Sequence, residues 1–235
     1  MILALIPARC GSKSIPNKNI KEYAGKPLIA WTIEQAKKSK HITDIIVSTD
    51  SEEYKKIAEK HGANVPFLRP KEISEDHSTD LEFMKHTIEY LKENGKTPNM
   101  IVHLRPTYPT RKVEDIDEAI GKFLNNDKSY TSLRSVVEAE YPAYKMYSIE
   151  GKQELKPLFK IVNGIEEPYN NARQLLPKSY WHNGCIDITT PDCIEKFDSI
   201  SGNKILAYTM EKNEVYDIDT MEEWDKSVLK SNLSS

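Results

Sequence analysis

Apolar residues fall into short unbroken runs separated by amphipathic stretches, and this alternation carries the reading of the fold. Ile2 to Ile6 is apolar without interruption and halts at Pro7, as a strand buried on both faces does. Pro27 opens a helix that continues from Leu28 to about Lys38, at a position where its missing N–H is harmless. Asp44 to Thr49 reads as a second buried strand. Ser51 caps a helix with Glu52 and Glu53 in its first turn, which buries Tyr54, Ile57 and Ala58 and stops at Gly62. A short strand is expected over Val65 to Leu68. Thr79 and Glu82 form a capping-box pattern before a helix with Leu81, Met84, Ile88 and Leu91 on one face, ending at Asn94-Gly95. Met100 to Leu104 is the following strand. Val113, Ile116, Ile120 and Phe123 mark the next helix, closed by Asn125-Asn126-Asp127. Alternation of this kind without a hairpin signal predicts right-handed crossovers and a doubly wound α/β fold with a mostly parallel sheet.

Beyond Tyr130 the rhythm changes. Strands are expected over Tyr130 to Val137, Tyr144 to Ile149, Asn183 to Ile188, Ile205 to Thr209 and Val215 to Ile218. Thr220 and Glu223 then start a terminal helix that buries Trp224 and Val228, with fraying after Leu229. Glu150 to Tyr169 is polar and turn-rich. Tyr141 to about Ser179 (141–179) therefore reads as a small protruding arm within a single domain, 1–235, and such segments are more often functional than idle.

The 235 residues suffice for one substantial domain, and a formal net charge of −3 argues against nucleic acid or a membrane surface as partner. No apolar run approaches a membrane span, and the first one is too short for a secretory leader. Three cysteines at unrelated spacings imply no disulfide framework. Cys185 and Cys193 read as small buried hydrophobes. Cys10 reads as a bystander whose cationic neighbours would lower its pKa. The expected compartment is the reduced cytoplasm.

Local charge is less even. Between Met1 and Ala30 the cations Arg9, Lys13, Lys18, Lys21 and Lys26 face Glu22 alone. This basin follows the first strand, where open α/β sheets bind ligands, and Gly11 lets backbone approach an anion. The expected ligand is a polyphosphate, although neither GxxxxGK[ST] nor GxGxxG is present. Near the far end, Asp217 and Asp219 share a face if their segment is a strand. Paired carboxylates favour a cation between them, and oxygen ligands favour Mg2+ when phosphates complete its shell. On the residues alone, helix support by Asp219 and a solvated Asp217 explain the pair equally well.

The early loop resembles the signature of the acylneuraminate cytidylyltransferases, ARxGSKxxxxKN, in Ala8, Arg9, Gly11, Ser12, Lys13, Lys18 and Asn19. Arg69, Pro70 and Asp76 match that family's RPxxLAxDxxxx. Ser78 and Thr79 stand where the family contacts nucleotide with hydroxyls, although Thr79 serves equally as a helix cap. Pro106, Thr107, Pro109 and Arg111 match LQPTSPLR, with Arg105, Tyr108 and Thr110 as departures. Arg173, Gln174, Leu176, Pro177, Asn183 and Gly184 match PRQxLPxxxxxNGAIY, with Ala172 replacing proline.

The resemblance implies a Rossmann-like nucleotidyltransferase in which an acidic sugar attacks CTP and pyrophosphate leaves. Arg9, Lys13 and Lys18 would neutralise the phosphates, Gly11 and Ser12 shape the cradle, and Asn19 hold the loop or the ribose. Asp217 and Asp219 would carry the catalytic Mg2+, which activates the hydroxyl without a side-chain base. Arg105, Thr107, Lys145, Arg173 and Gln174 are candidates for the acceptor, the arginine at 105 being a fork suited to carboxylate or phosphate. The family arm also implies a homodimer that lends residues to the neighbouring site. Tyr169, Tyr180 and Trp181 read as sugar-pocket, core or dimer contacts, His103 as a core histidine, and Arg111 as a surface ion-pair partner or a ligand. Other readings are GTP in place of CTP, a legionaminic-type, deoxy-octulosonic or phosphonate acceptor, and nucleotide binding without turnover. A glycosyltransferase would explain the Asp-x-Asp but not the basic loop.

Overall fold

The computed structural model describes residues 1–126, 129–211 and 217–233. Its centre is a six-stranded sheet. The strands are β1 (Ile2–Pro7), β2 (Asp44–Ser48), β3 (Met100–His103), β4 (Ser132–Glu138), β5 (Tyr180–Thr189) and β6 (Ile205–Thr209), in the spatial order β6-β4-β5-β3-β1-β2. β1 runs parallel to β2 and β3, and β6 parallel to β4. β5 is antiparallel to both of its neighbours, β3 and β4. The sheet is thus doubly wound and mostly parallel, with one reversed strand that the sequence pattern did not disclose.

Helices α1 (Leu28–Lys38), α2 (Glu52–Lys60), α3 (Asp80–Glu93), α4 (Val113–Leu124), α5 (Pro191–Phe197) and α6 (Met221–Leu233) complete the fold. Successive β1 side chains point to opposite faces. Ala4 and Ile6 pack with Ile29 and Ile33 of α1, Tyr54 of α2 and Ile120 of α4. Leu3 and Leu5 pack with Phe83, Met84 and Ile88 of α3 and Ile194 of α5. Both faces being covered explains why β1 is apolar at every position. A third cluster, Ile15, Tyr23, Leu28, Ile218 and Trp224, clamps the loop after β1 against α6.

Local chemistry sets the helix ends. Ser51 accepts from the Tyr54 N–H, and Thr79 and Glu82 close a capping box on α3. The short helix α5 lay outside the sequence reading, although Thr190 caps it and Pro191 opens it.

Three expected strands need correction. Val65 to Leu68 forms no strand; Pro66 withholds a ladder donor, and only Asn64 bridges to Ile46. Tyr144 to Ile149 begins with a 3-10 turn, Ala143–Lys145, so its strand covers Tyr147–Glu150. Of Val215 to Ile218, Val215 and Tyr216 lie outside the described residues. Asp217 to Asp219 join no strand, and the Ile218 N–H donates instead to the Thr107 carbonyl at 3.0 Å.

Residues 141–179 stay off the central sheet. They form a hairpin of Tyr147–Glu150 with Glu154–Pro157, a smaller one of Ile161–Val162 with Ile165–Glu166, and short turns. Tyr141, Tyr147, Ile149, Leu155, Leu158 and Ile161 on this arm are exposed. No helix among the described residues is long and apolar enough to cross a membrane.

Burial predicts where truncation hurts. Leu5→Ala, in a wholly buried position, is expected to lower stability by about 2–5 kcal/mol in urea denaturation. Leu124→Ala, on an exposed position at the end of α4 and off the arm, is expected to change it by no more than about 0.5 kcal/mol.

Candidate active site

Two adjoining hollows open where the loops after β1 and β3 meet the segments before α3 and α6. One, of about 520 Å3, is lined by Arg9, Ser12, Lys13, Ser14, Lys18, Asn19, Asp76, His77 and Asp219. The other, of about 360 Å3, is lined by Arg69, Ser78, Asp80, Phe83, Arg105, Thr107 and Asp217 among others. Arg9, Asn19 and Asp219 belong to both. A separate hollow between Met1, Asp44, Asn64 and Tyr90 lies at the amino-terminal end of β1, away from these groups.

The first hollow is the cationic one. Gly11 sits at φ +77°, a backbone region that favours glycine, with open space where a side chain would stand. Buried Ile15 anchors the loop, and the Asn19 amide donates to the Arg9 carbonyl at 3.2 Å, pinning the loop's two ends together. Arg9 and Lys13 both pair with Asp76, Arg9 at 3.1 Å. Hydrogen bonds from Lys13 and Arg9 hold the exposed Asp76 carboxyl below its usual range. Lys18 is largely buried, and its ammonium donates to Asp219 Oδ1 at 2.8 Å and to the Ile218 carbonyl at 3.0 Å.

Cys10 differs from expectation. Its N–H and Sγ both donate to Asp50, at 2.7 and 2.9 Å. The hydrogen bond to Asp50, burial and the Asp50 charge raise the thiol pKa, overriding the pull of Arg9. Asp50, unremarked in the sequence reading, is therefore a brace under the glycine loop.

Asp217 is partly buried, with Oδ2 accepting from the Tyr108 hydroxyl at 2.9 Å. Its Oδ1 is buried with no hydrogen-bond partner of normal geometry. Burial raises its pKa, with Asp219 adding to the rise while Thr107, Tyr108 and Lys18 oppose it. An orphaned carboxylate oxygen beside a second carboxylate fits a hard, oxygen-seeking cation such as Mg2+. Two protein carboxylates suffice where phosphates supply further ligands. No group of three acidic, histidine or cysteine side chains suited to a metal occurs among the described residues.

Arg69 is buried, donates to the Ser48 hydroxyl and carbonyl at 3.0 and 2.7 Å, and lies over the Phe83 ring. Burial pulls its pKa down to about 10, which leaves it charged. Ser78 accepts from the Glu75 N–H. Arg105 does not stand free: it donates to Asp80 at 2.7 Å and to Asp187 and the Gly184 carbonyl at 2.8 Å each. Asp187 also receives Arg134 and His182, both at 2.8 Å, and its carboxyl lies far below the usual range: burial opposes this, but His182, Arg134 and Arg105 prevail.

Arg111 is not a surface ion pair. It is buried and donates to Cys185 O, Gln35 Oε1 and Arg105 O. Asp80, Phe83 and His77 are lining groups that no motif in the sequence marks.

Lys145, Arg173 and Gln174 line neither hollow. Lys145 is half-buried and donates to the Tyr169 carbonyl at 3.2 Å. Arg173 and Gln174 are exposed rather than buried, as are Tyr180 and Trp181.

The comparisons with known proteins agree with one another. Residues 3–159 match the family model described as Cytidylyltransferase. A pseudaminic acid cytidylyltransferase of Campylobacter jejuni is 32% identical, covering 99% of this chain and 98% of that protein. An N-acylneuraminate cytidylyltransferase of Escherichia coli is 32% identical over 97% of this chain and 51% of its own length. Among solved structures, CMP:2-keto-3-deoxy-manno-octonic acid synthetase complexed with CTP has a TM-score of 0.73 and 14% identity, covering 100% of this chain and 99% of that one; this likeness concerns the fold.

His103 at the end of β3 yields a prediction. It is wholly buried, and burial lowers its pKa to about 4. Between pH about 6.5 and 4 the unfolded chain therefore binds a proton that the folded chain refuses, so stability falls as pH falls through that window. His103→Leu is expected to lose this part of the pH dependence. Urea denaturation at pH 7 and pH 5 checks it: wild type should lose more between the two than the variant.

Proposed function

This chain belongs to the cytidylyltransferase family, as an acylneuraminate cytidylyltransferase-like nucleotidyltransferase, and we propose that it transfers CMP from CTP to an acidic nonulosonic sugar, releasing pyrophosphate. The observation that carries this reading is that Lys13 and Asp219 line one hollow, with Lys18 bonded to Asp219 between them. A polyanion and its metal have charge complements there on adjoining walls.

In this reading the acceptor's hydroxyl oxygen bonds to the α-phosphorus and the bond to the β-phosphate's bridging oxygen breaks. The electron pair leaves with pyrophosphate, and the hydroxyl proton passes to solvent. Such transfer depends on positioning and charge neutralisation more than on a covalent nucleophile. Arg9 and Lys13 turn from the exposed Asp76 to the phosphates. That exchange is easy, because exposed ion pairs contribute little. Lys18 stays near Asp219 and meets the charge developing on the leaving group. Gly11 and Ser12 offer backbone N–H groups, and Asn19 keeps the loop closed. Arg69 and Ser78 face the nucleoside. Asp217 and Asp219 would hold Mg2+, which neutralises phosphate charge and lowers the pKa of the attacking hydroxyl when bound. His77 is the histidine on the wall of the cationic hollow, and this reading asks no proton transfer of it.

We further infer a cytoplasmic homodimer joined through the arm. Its exposed Ile149, Leu155, Leu158 and Ile161 need cover. Lys145, Arg173 and Gln174, absent from their own chain's hollows, then serve the acceptor in the neighbouring subunit.

The test is pyrophosphate release from each of the four nucleoside triphosphates with Mg2+ and a panel of sugar acids. CTP with a nonulosonic acid should be turned over, and Asp217→Asn or Asp219→Asn should slow it by at least about 100-fold with unchanged folding. Release with GTP alone would overturn the choice of base, and silence with every pair would leave only nucleotide binding. Analytical ultracentrifugation should find a dimer that Ile161→Asp weakens; a fully active monomer would refute the shared site.

A further inference from the structure

We propose that Asp80, braced by Arg105, discriminates between acceptors by accepting hydrogen bonds from the hydroxyl or acylamino N–H groups of the sugar acid, an inference that rests on the nucleotidyl-transfer reading of this hollow. Asp80 then acts as a binding wall, and Arg105 as the residue that positions it.

The argument begins with what Arg105 has already done with its fork. One terminal nitrogen donates to both Asp187 and the Gly184 carbonyl, and the other to Asp80. Its charge is matched by two carboxylates, so it is no open hook for an anion. The arrangement is built into the backbone. Gly184 stands at φ +70°, and a Cβ there would lie 2.9 Å from the Arg105 guanidinium, so any other residue at 184 would press on the fork.

Asp80 is the member of this network with capacity left over. Only its Oδ2 is engaged by Arg105, and its side chain is 34% exposed beside Thr107 and Asp217. It occupies the first turn of α3, whose start is fixed by the capping box of Thr79 and Glu82. A carboxylate so placed is rigid and accepts without donating. Behind it lies His103, wholly buried, with both ring nitrogens lacking a hydrogen-bond partner and Nδ1 3.9 Å from Asp80 Oδ2. His103 therefore takes up none of the hydrogen-bonding capacity of Asp80. Although burial pushes the Asp80 carboxyl up, the charge and hydrogen bond of Arg105 hold it below its ordinary range, so it is charged at neutral pH.

A charged wall of this kind attracts donors and repels anions. It orients the acceptor with its own carboxylate turned away and its neutral donors toward Asp80. A site that hydrogen-bonds a substrate group discriminates strongly against analogues lacking it, because its own polar atoms are then left unpaired.

Steady-state kinetics with CTP and three acceptors, pseudaminic acid, N-acetylneuraminic acid and 2-keto-3-deoxy-manno-octonic acid, test this. Asp80→Asn should lower kcat/KM for the best acceptor by roughly tenfold or more, chiefly through acceptor KM, with CTP KM within about twofold. It should also compress the ranking among the three. The double variant D80N/R105Q removes both charges together, so it carries the same test should Asp80→Asn alone fail to melt cooperatively. Unchanged acceptor KM and ranking in an active enzyme would sink this proposal alone. So would a CTP KM that rises as much as the acceptor's, since Asp80 would then face the nucleoside. If wild type releases no pyrophosphate with any acid, the nucleotidyl-transfer reading falls and takes this inference with it.

Discussion

An ammonium group near the start of the chain reaches a carboxylate near its end, and the site depends on that contact. Lys18 donates to Asp219 and to the Ile218 carbonyl across 200 residues of sequence. Each partner alone would be poorly placed: a largely buried cation lacks water, and Asp219 has Asp217 for a neighbour. Together they fix the distance between a cationic loop and an acidic segment. The apolar cluster beneath, with Ile15 on one side and Ile218 and Trp224 on the other, gives both the same footing. Charge chemistry and packing therefore agree about where the two loops belong.

The rest of the site follows one rule: charges that must stay put are paired inside the protein, and charges that must move are paired at its surface. Arg105, Asp187 and Arg134 form a compensated network beneath the second hollow. Removing Asp187 would take from Arg134 its carboxylate partner and from Arg105 one of two, which is far costlier than never having placed the charges there. Arg9 and Lys13, by contrast, rest on Asp76 with their contact open to solvent. Pairs of that type exchange partners readily. The first hollow is thus adaptable and the second stiff, which suits the phosphate and acceptor roles proposed for them.

Much of the frame was legible because burial on two faces leaves an unmistakable trace. Ile2 to Ile6 is apolar throughout since Leu3 and Leu5 meet α3 while Ala4 and Ile6 meet α1. Helix caps at Ser51 and Thr79 were legible for the same local reason, a side-chain oxygen placed before an amphipathic run. What escaped was decided at a distance. Nothing local tells β5 to run against its neighbours. The basic loop could be read because its residues are consecutive. Cys10 was misjudged because the carboxylate that governs it, Asp50, arrives from the end of another strand.

Arg105 is the sharpest instance of that limit, and it also says where specificity resides in a fold of this kind. Read from its neighbours in sequence, an arginine in a loop at a strand end invites an anion. In space it already has two, Asp80 and Asp187. The residue type therefore does not name the ligand; the unpaired remainder of its network does. Here the remainder is a carboxylate on a capped helix end, and a carboxylate accepts where the arginine would have donated. The chemical preference of the hollow is thus reversed by a partner 25 residues away in the chain. A comparison of single positions, arginine here against glutamine in the family motif, misses this, because the pair rather than the residue is what a ligand would meet.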